Sequence, residues 1–478
     1  VILSIPYLFC HDIIQISSGC ASLSCIVLIT AIQSIIYRDM NCHIFCTWEV
    51  LMKFRKYTSV LLSLLFAAGM AQTALADNSV TLTLGCSQSQ LPSSGIFEQL
   101  CEEYEEQTGI HIDIQVTPDD QWTDVLRTKL SVGEAPDIMW ADVDGLSIVD
   151  RINPVENCVS LADAEWVDRL EESVRNDLSV DGTIYGISFK GPKFWLYYYN
   201  KDIFAQYNLT PPTNYEEFRA ICQTLYDNDI TPIYEAVQEG WHHGLMWYEV
   251  AGVYQKEVPD LYEKLNTNQI KVTDVKSMLT VLEQMQDFAQ SGFYGPDYMS
   301  NSITNDFGAI ADGSVAMTFE SNGWEQQLLD SYPEMDGKIG YFILPWGDND
   351  TLGITPTQNG LFINKNSEHI DEAKAFFDYL ASPEKLQEYL DGETSIYSVC
   401  WPEIDSKYPE ALKEYMNQFD TSVVLQSGVK FVGGQCFEIE KLMASMFLDQ
   451  LTPEECLQQI ADIMDEQGEL QQDPYWVG

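Results

Sequence analysis

Alternating strand-like and helix-like segments between residues 80 and 140 constrain the fold more than any other feature of the chain. Apolar residues alternate with threonines over 80–84, as in a strand with one buried face. They then recur at helical spacing up to Gly109, alternate again over 110–116, and return to helical spacing before Gly133. This alternation at short intervals predicts βαβ units in an α/β sheet, in which ligands bind beyond the carboxyl ends of the strands.

Later segments carry helix-start signals. Thr213 and Glu216 predict a capping box, and Ser367 predicts the N-cap of another helix. The run Thr452-Pro453-Glu454-Glu455 gives the clearest start, because proline suits the first helical position and glutamate the third. We also expect one long helical stretch between residues 261 and 292.

The charge balance of the chain is strongly acidic. Its 478 residues include 73 aspartates and glutamates against 25 lysines and arginines, a net charge of −48. A surface with this charge repels nucleic acid and anionic lipid, so we expect neither as a partner. We interpret the excess as a heavily solvated surface rather than as a cation-binding site. The length predicts two or more domains with full cores.

The first part of the chain has the features of an export signal. A basic segment, the apolar run 60–68 and the sequence Ala74-Leu75-Ala76 predict a secretory signal peptide over 52–76, cleaved after Ala76. We interpret residues 1–51 as upstream sequence that is translated here but absent from the protein. An alternative takes 25–37 as a membrane segment, although its apolar run is shorter than the roughly 20 residues that a spanning helix needs.

The cysteines predict neither a disulfide framework nor a zinc site. Seven of the twelve follow Ala76, an odd number at irregular spacings, so neither disulfides nor a zinc site can be assigned. Cys86 follows the first predicted strand, and a polar stretch separates it from the apolar run of the signal peptide. We therefore interpret Cys86 as the end of that strand, and leave a lipid anchor at this residue as the alternative.

The motifs of several enzyme classes are absent from the sequence. It contains no GxSxG, HExxH, P-loop or GxGxxG pattern. With so many carboxylates, a pair at glycosidase spacing arises by chance and carries no information. His242 and His243 are adjacent and lack a third ligand, so they do not indicate a metal. We predict a protein that is not an enzyme and that has no metal or cofactor.

Four segments occur in the order and form of one known family, namely GEAPDI at 133–138, DGTIYGI at 181–187, YYYNKDIF followed by LTPPT within 197–213, and DGSVAM at 312–317. They resemble extracellular solute-binding proteins of family 1, the sugar-type class that delivers ligands to ABC importers. The resemblance runs from about residue 80 to about residue 467.

This resemblance implies an α/β, two-lobed periplasmic-binding-protein fold with discontinuous lobes, a hinge and a ligand cleft between the lobes. We place the first lobe at 77–190 with about 355–392, and the second at 191–354 with about 393–478. The chain is expected to cross between lobes in three short segments, near 187–194, 354–360 and 392–397.

The resemblance also implies a function. The protein is expected to be a secreted, monomeric binding component of an ABC importer, periplasmic or extracellular and associated with the cell surface. It would capture a mono- or oligosaccharide and deliver it to a membrane permease. Two alternatives remain open, a secreted carbohydrate-active hydrolase and a binding protein that feeds a sensory receptor.

Tryptophans are the first candidate ligand-binding residues, because indole faces suit the C–H faces of sugar rings. Trp140, Asp142 and Asp144 lie in a stretch similar to one in maltose-binding proteins, where the tryptophan stacks and an aspartate accepts from sugar hydroxyls. Trp324 lies in a segment that resembles a second stacking segment of those proteins, which favours it over Trp241. For each tryptophan, the competing interpretation is a buried core residue.

Polar candidates complete the predicted site. Lys193 stands where maltose-binding proteins place a glutamate ahead of the Tyr-Asn-Lys-Asp motif, a departure that disfavours a maltodextrin and allows an anionic ligand. The other candidates follow strands, flank tryptophans or lie at a predicted crossing, and they are Ser87, Gln88, Trp195, Glu320, Gln358, Asn359 and Gln435.

Overall fold

The computed structural model describes residues 80–143, 147–356, 359–433 and 436–477, which form two larger β-sheets and two two-stranded ones. The predicted signal peptide, residues 1–51 and the alternative membrane segment lie outside the described residues. Within the described ranges, no helix combines the length and apolar character needed to span a bilayer.

The strands and helices have the following bounds. The strands are β1 (Thr81–Ser87), β2 (His111–Thr117), β3 (Ile138–Asp142), β4 (Ser179–Val180), β5 (Thr183–Ile184), β6 (Gly186–Ile187), β7 (Trp195–Asn200), β8 (Thr231–Tyr234), β9 (Val315–Ser321), β10 (Ile339–Phe342), β11 (Thr351–Ile354), β12 (Asn359–Ile363) and β13 (Asp420–Val423). The α-helices are α1 (Ile96–Thr108), α2 (Asp119–Val132), α3 (Ser147–Ile152), α4 (Pro154–Asn157), α5 (Glu172–Asp177), α6 (Lys201–Gln206), α7 (Tyr215–Tyr226), α8 (Leu245–Glu249), α9 (Ala251–Glu257), α10 (Leu261–Asn266), α11 (Lys276–Gln290), α12 (Asp306–Ala311), α13 (Trp324–Ser331), α14 (Ile370–Leu380), α15 (Pro383–Gly392), α16 (Glu410–Met416), α17 (Leu425–Gly428), α18 (Cys436–Phe447) and α19 (Pro453–Leu470). Short 3-10 segments occur at Val167–Arg169, Val272–Asp274, Tyr298–Ser300, Ile303–Asn305, Pro333–Met335 and Trp346–Asp348.

The first sheet has the order β2-β1-β3-β12-β6. Strand β1 pairs in parallel with β2 and β3, and α1 and α2 connect these strands, which confirms the predicted βαβ units. Cys86 lies within β1 and is fully buried, so its assignment to the first strand is confirmed. Strand β12 comes from much later in the chain and pairs antiparallel with β3 and β6. The carboxyl ends of β1 and β3 therefore lie side by side.

The second sheet has the order β10-β7-β9-β8 and contains the Tyr-Tyr-Tyr-Asn run in β7. Tyr197 packs in one core cluster and Tyr198 in another, because successive strand residues face opposite sides of a sheet. A sheet covered on both faces accepts such a continuous apolar run. Asn200 then begins α6, where its side chain accepts hydrogen bonds from the backbone N–H groups of Asp202 and Ile203.

Two predicted helix starts are displaced by one or two residues. The N-cap of α7 is Asn214 rather than Thr213, and its side chain accepts from the backbone N–H of Glu217 at 3.0 Å. The N-cap of α14 is His369, whereas the Ser367 hydroxyl accepts from the His369 N–H at 3.0 Å and donates to a carboxylate. In each case neighbouring polar residues compete for the cap, and sequence spacing alone does not rank them.

Two other helix predictions have different outcomes. The Glu455 backbone N–H donates to the Thr452 hydroxyl at 3.2 Å, and the Glu455 carboxylate accepts from the Thr452 backbone N–H at 2.9 Å, so the predicted capping box at the start of α19 is confirmed. The expected continuous stretch between 261 and 292 is instead divided into α10, a 3-10 segment and α11.

Residues 188–194 connect β6 of the first sheet to β7 of the second. Thr355 follows β11, which pairs with β13 in a separate two-stranded sheet, and residues 393–401 follow α15. Lys193 and Thr355 exchange backbone hydrogen bonds of 2.8 and 2.9 Å, and the Gly191 N–H donates to the Ser398 carbonyl at 2.9 Å. Trp401 packs with the core of the first sheet. The exact lobe boundaries stay a prediction.

Candidate ligand-binding cavity

A cavity of about 300 Å³ lies where the carboxyl ends of β1 and β3 meet the first connecting segment. Ser87 and Asp142 contribute from the first sheet, and Lys190 and Lys193 from the segment. Trp195, the first residue of β7, contributes from the second sheet. The cavity therefore occupies the position predicted from the βαβ pattern.

Three indole rings line this cavity. Trp195 and Trp241 meet edge to face, with ring centroids 6.1 Å apart and an interplanar angle of 67°. Trp122 lies on the opposite side in α2, and its indole N–H donates to the Trp140 carbonyl at 2.7 Å. Trp122 and Trp195 are buried, whereas Trp241 is half-buried, so Trp241 presents more of its ring to the cavity.

Polar side chains are held in fixed orientations at the end of β1. The Ser87 backbone N–H donates to the Gln90 side-chain oxygen at 2.9 Å, and the Gln90 amide donates to Asp142 at 2.9 Å. Asn359 lies beside them at the start of β12, where its side-chain oxygen accepts from the Trp140 indole N–H at 2.7 Å. Carboxylate, amide and hydroxyl groups thus converge at one end of the cavity.

The cations of the cavity differ in how they are held. Arg151 is 6% exposed, and its guanidinium donates to the Gly433 carbonyl at 2.9 Å and to the Thr123 hydroxyl at 3.2 Å. It also lies 3.5 Å from an Asp142 carboxylate oxygen. The Lys193 ammonium, in contrast, lies over the Trp195 ring, 4.7 Å from its centroid.

Burial shifts the protonation of the groups around Lys193. Burial and the neighbouring Lys190 lower the pKa of Lys193 to about 8, against the attraction of Glu320 and Glu249. Burial raises the pKa of Glu249 to about 8 and that of Glu320 to about 7. At neutral pH Lys193 therefore remains largely charged, while these two nearby carboxyl groups are held partly or mostly neutral.

A buried histidine packs against the Trp195 ring on the side of the second sheet. The His242 ring packs against the Trp195 indole with centroids 5.6 Å apart, and its Nε2–H donates to the Phe319 carbonyl at 2.8 Å. Nδ1 lies 2.9 Å from a Glu235 carboxylate oxygen. Burial favours the neutral ring, but Glu235 and the backbone acceptor outweigh it and raise the pKa of His242 to about 9. An imidazolium that donates from both nitrogens fits this geometry.

The structure brings part of the predicted site together. Those predicted residues that line the cavity are Ser87, Asp142, Lys193, Trp195, Trp241 and Asn359. Those placed outside its lining are Gln88, Trp140, Glu320 and Trp324. Three further predicted residues, Asp144, Gln358 and Gln435, lie outside the described residues.

The expectation that Trp140 and Trp324 face a ligand does not match their placement. Trp140 is 1% exposed and packs against Phe97 at 4.8 Å between ring centroids, because β3 is central in a sheet covered on both faces. Trp324 is 3% exposed, packs tilted against Tyr198 with ring centroids 4.9 Å apart, and donates its indole N–H to Asp306. In this structure both rings belong to the cores, and neither has a face open to the cavity.

Sequence reasoning missed several lining residues. Lys190 carries a usable signal, because it lies in a segment that was itself predicted to cross between the lobes. Trp122 and Arg151 lie within helices, where nothing local distinguishes a cavity-facing side chain from a core or surface one. Gln90 follows β1 closely and could have been included with Ser87.

The chain is similar to proteins that bind solutes outside the cell. Residues 88–387 match the family model described as bacterial extracellular solute-binding protein. The chain is 23% identical over 359 residues to the multiple sugar-binding protein of Streptococcus mutans. The aligned region covers 73% of this chain and 83% of that protein.

Solved structures share the fold. A chitin oligosaccharide binding protein has a TM-score of 0.69 at 20% identity, covering 81% of this chain and 99% of that chain. A sugar transporter protein from Bacillus licheniformis, in complex with stachyose, has a TM-score of 0.66 at 16% identity, covering 80% and 98%. At these identities the likeness concerns the fold alone, and it confirms the predicted two-lobed α/β architecture.

Proposed function

We infer the function from the family to which this chain belongs, the bacterial extracellular solute-binding proteins, whose matched residues 88–387 span more than half of its length. We propose that the protein captures a carbohydrate in the cavity described above and delivers it to the permease of an ABC importer. The relative in Streptococcus mutans is named as a multiple sugar-binding protein, which supports this ligand class.

One observation supports the proposal most directly, the convergence of indole rings and polar groups in a single cavity. Trp241 offers its half-buried ring beside the lining Trp195, and Asp142 and Asn359 offer hydrogen-bond partners for hydroxyl groups. A carbohydrate has the matching surface, since its C–H faces are apolar and its hydroxyls both donate and accept.

The connecting segments support a hinge motion as the means of capture. They are short and joined by backbone hydrogen bonds, as between Lys193 and Thr355, so the two sheets can rotate while the segments stay together. A ligand that contacts both sheets stabilises the closed state. The exported protein is proposed to act as a monomer, with the signal peptide at 52–76 removed after Ala76.

Replacing Trp241 by alanine tests the ligand position. This half-buried ring is expected to contribute about 1 kcal/mol or more to binding, so affinity falls at least roughly fivefold. A panel of mono- and oligosaccharides is first screened by thermal shift, and the best ligand is measured by calorimetry. Tyr475→Ala is the matched control, because Tyr475 is 54% exposed and lies outside the cavity. Equal affinity of both variants and the parent protein would place the ligand elsewhere.

A second measurement separates binding from hydrolysis. The sugar that gives the largest thermal shift is incubated with the protein for many hours and analysed by mass spectrometry. Stoichiometric recovery of the unchanged sugar supports a transport receptor. Catalytic conversion to a shorter or rearranged sugar would contradict it in favour of a hydrolase.

A further inference from the structure

The cavity has a charge balance unlike that of the whole chain. Acidic residues outnumber basic ones by 73 to 25 in the sequence. Among the described lining residues the two classes are equal, with Arg151, Lys190 and Lys193 against Asp119, Asp142 and Glu440. Burial also raises the pKa of Glu440 well above its usual range, which favours its neutral form. The cavity is therefore less negative than the surface around it.

Two of these cations form no ion pair within 4.0 Å among the described residues. Arg151 donates to a carbonyl and a hydroxyl and lies near Asp142. For the ammonium groups of Lys190 and Lys193, in contrast, no carboxylate oxygen of the described chain lies within 4.0 Å. The Lys193 ammonium lies 4.7 Å from the centroid of the Trp195 ring, and carboxyl groups attract both lysines only from beyond ion-pair distance.

Leaving two neighbouring ammonium groups unpaired in a cavity is unfavourable. Desolvation disfavours a charged group that lacks a partner, and like charges repel each other. Both effects are visible here, because burial lowers the pKa of each lysine and Lys190 lowers that of Lys193 further. A bound anion relieves both penalties at once. The two lysines therefore destabilise the free protein and favour the binding of an anionic ligand.

We propose that the carbohydrate carries one anionic group, a uronate carboxylate or an ester phosphate, which Lys190 and Lys193 hold while the sugar ring lies against Trp241. The proposal rests on the proposed function. The acidic members of the lining, Asp119 and Asp142, restrict the ligand to a single anionic group, because a polyanion would meet their repulsion. The indoles in turn disfavour a free inorganic anion, which has no apolar face to place against them.

The test compares sugars that differ only in this group. Calorimetry is run with galacturonate against galactose, glucuronate against glucose, and glucose 6-phosphate against glucose, so that each acidic sugar carries one anionic group. We expect an acidic sugar to bind at least tenfold more tightly than its neutral counterpart. The phosphate arm distinguishes an ester phosphate from a carboxylate as the recognised group.

Variants assign the preference to the lysines. Lys193→Met and Lys190→Met remove charge while keeping an unbranched side chain, and each is expected to reduce the acidic-to-neutral preference several-fold. Lys193→Arg keeps the charge and is expected to retain the preference. Lys276→Met is the control, since Lys276 is exposed and outside the cavity lining. Thermal melts verify that each variant folds.

The outcomes separate this inference from the proposed function. Neutral sugars that bind as tightly as acidic ones, or a preference that survives Lys193→Met and Lys190→Met, would overturn the anionic ligand and leave a carbohydrate receptor intact. A protein that binds neither acidic nor neutral sugars would overturn both.

Discussion

At the scale of single residues, the candidate tryptophans differ in whether they line the cavity, as Trp195 and Trp241 do and Trp140 and Trp324 do not. Trp140 and Trp324 lie in motifs similar to stacking segments of maltose-binding proteins, yet both are almost fully buried. Motif and position in the chain cannot reveal this, because burial depends on what covers a strand or helix from elsewhere in the sequence. The sequence offered a signal for the two that line the cavity, because Trp195 lies at a connecting segment and Trp241 in a loop, and their role in binding stays a prediction.

Trp324→Phe tests this distinction. The change removes the indole N–H that Asp306 accepts, and Asp306 is fully buried, so the free energy of unfolding is expected to fall by about 1–3 kcal/mol. Ligand affinity should stay within about twofold of the parent value, since the ring does not line the cavity. Urea denaturation and calorimetry on the same preparation give both quantities. A large loss of affinity without a loss of stability would return Trp324 to the binding site.

At the scale of elements, local periodicity predicted what local forces determine. Strands β1–β3 and helices α1 and α2 follow the sequence pattern closely, because each buries one face against its neighbours. Helix starts were less predictable, since Thr213 and Asn214 both qualify as caps and only backbone geometry selects one. The division of the stretch between α10 and α11 likewise has no marker as strong as a proline.

Two substitutions at the start of α7 compare the predicted and observed caps. Asn214→Ala removes the side-chain acceptor for the Glu217 N–H and is expected to lower the free energy of unfolding by about 1 kcal/mol. Glu216→Ala removes the carboxylate of the predicted capping box. Because that box is not the observed cap, the free energy of unfolding is expected to change by less than about 0.5 kcal/mol. Chemical denaturation of both variants measures the difference. A larger loss of stability in Glu216→Ala than in Asn214→Ala would instead support the capping box of Thr213 and Glu216.

At the scale of the whole molecule, the protonation of a few buried groups near the cavity makes the stability of the fold depend on pH. Glu249, Glu320 and His242 all have a raised pKa in the folded protein, to about 8, 7 and 9 respectively. Each therefore holds its proton more tightly when folded than when unfolded. Their contributions to stability are fully present below the ordinary pKa of each group and are lost as the pH rises through the folded value. The acidic composition did not predict these raised pKa values, because they depend on which few carboxyl groups are buried in the folded protein.

The pH dependence of stability follows from these groups. Between pH 5 and 8 the free energy of unfolding is expected to fall as pH rises, with each such group contributing at most about 1.4 kcal/mol per pH unit. Lys193, which Glu249 attracts, has a pKa lowered to about 8, so its opposing effect on stability begins only near the upper end of this range. Glu249→Gln is the sharpest probe, because neither carboxylate oxygen of Glu249 has a hydrogen-bond partner within the described structure. The variant keeps the shape of the neutral acid but cannot ionise, so its stability should depend less steeply on pH than that of the parent. Urea titrations at several pH values measure both slopes, and identical slopes would show that Glu249 is not held neutral in the folded protein.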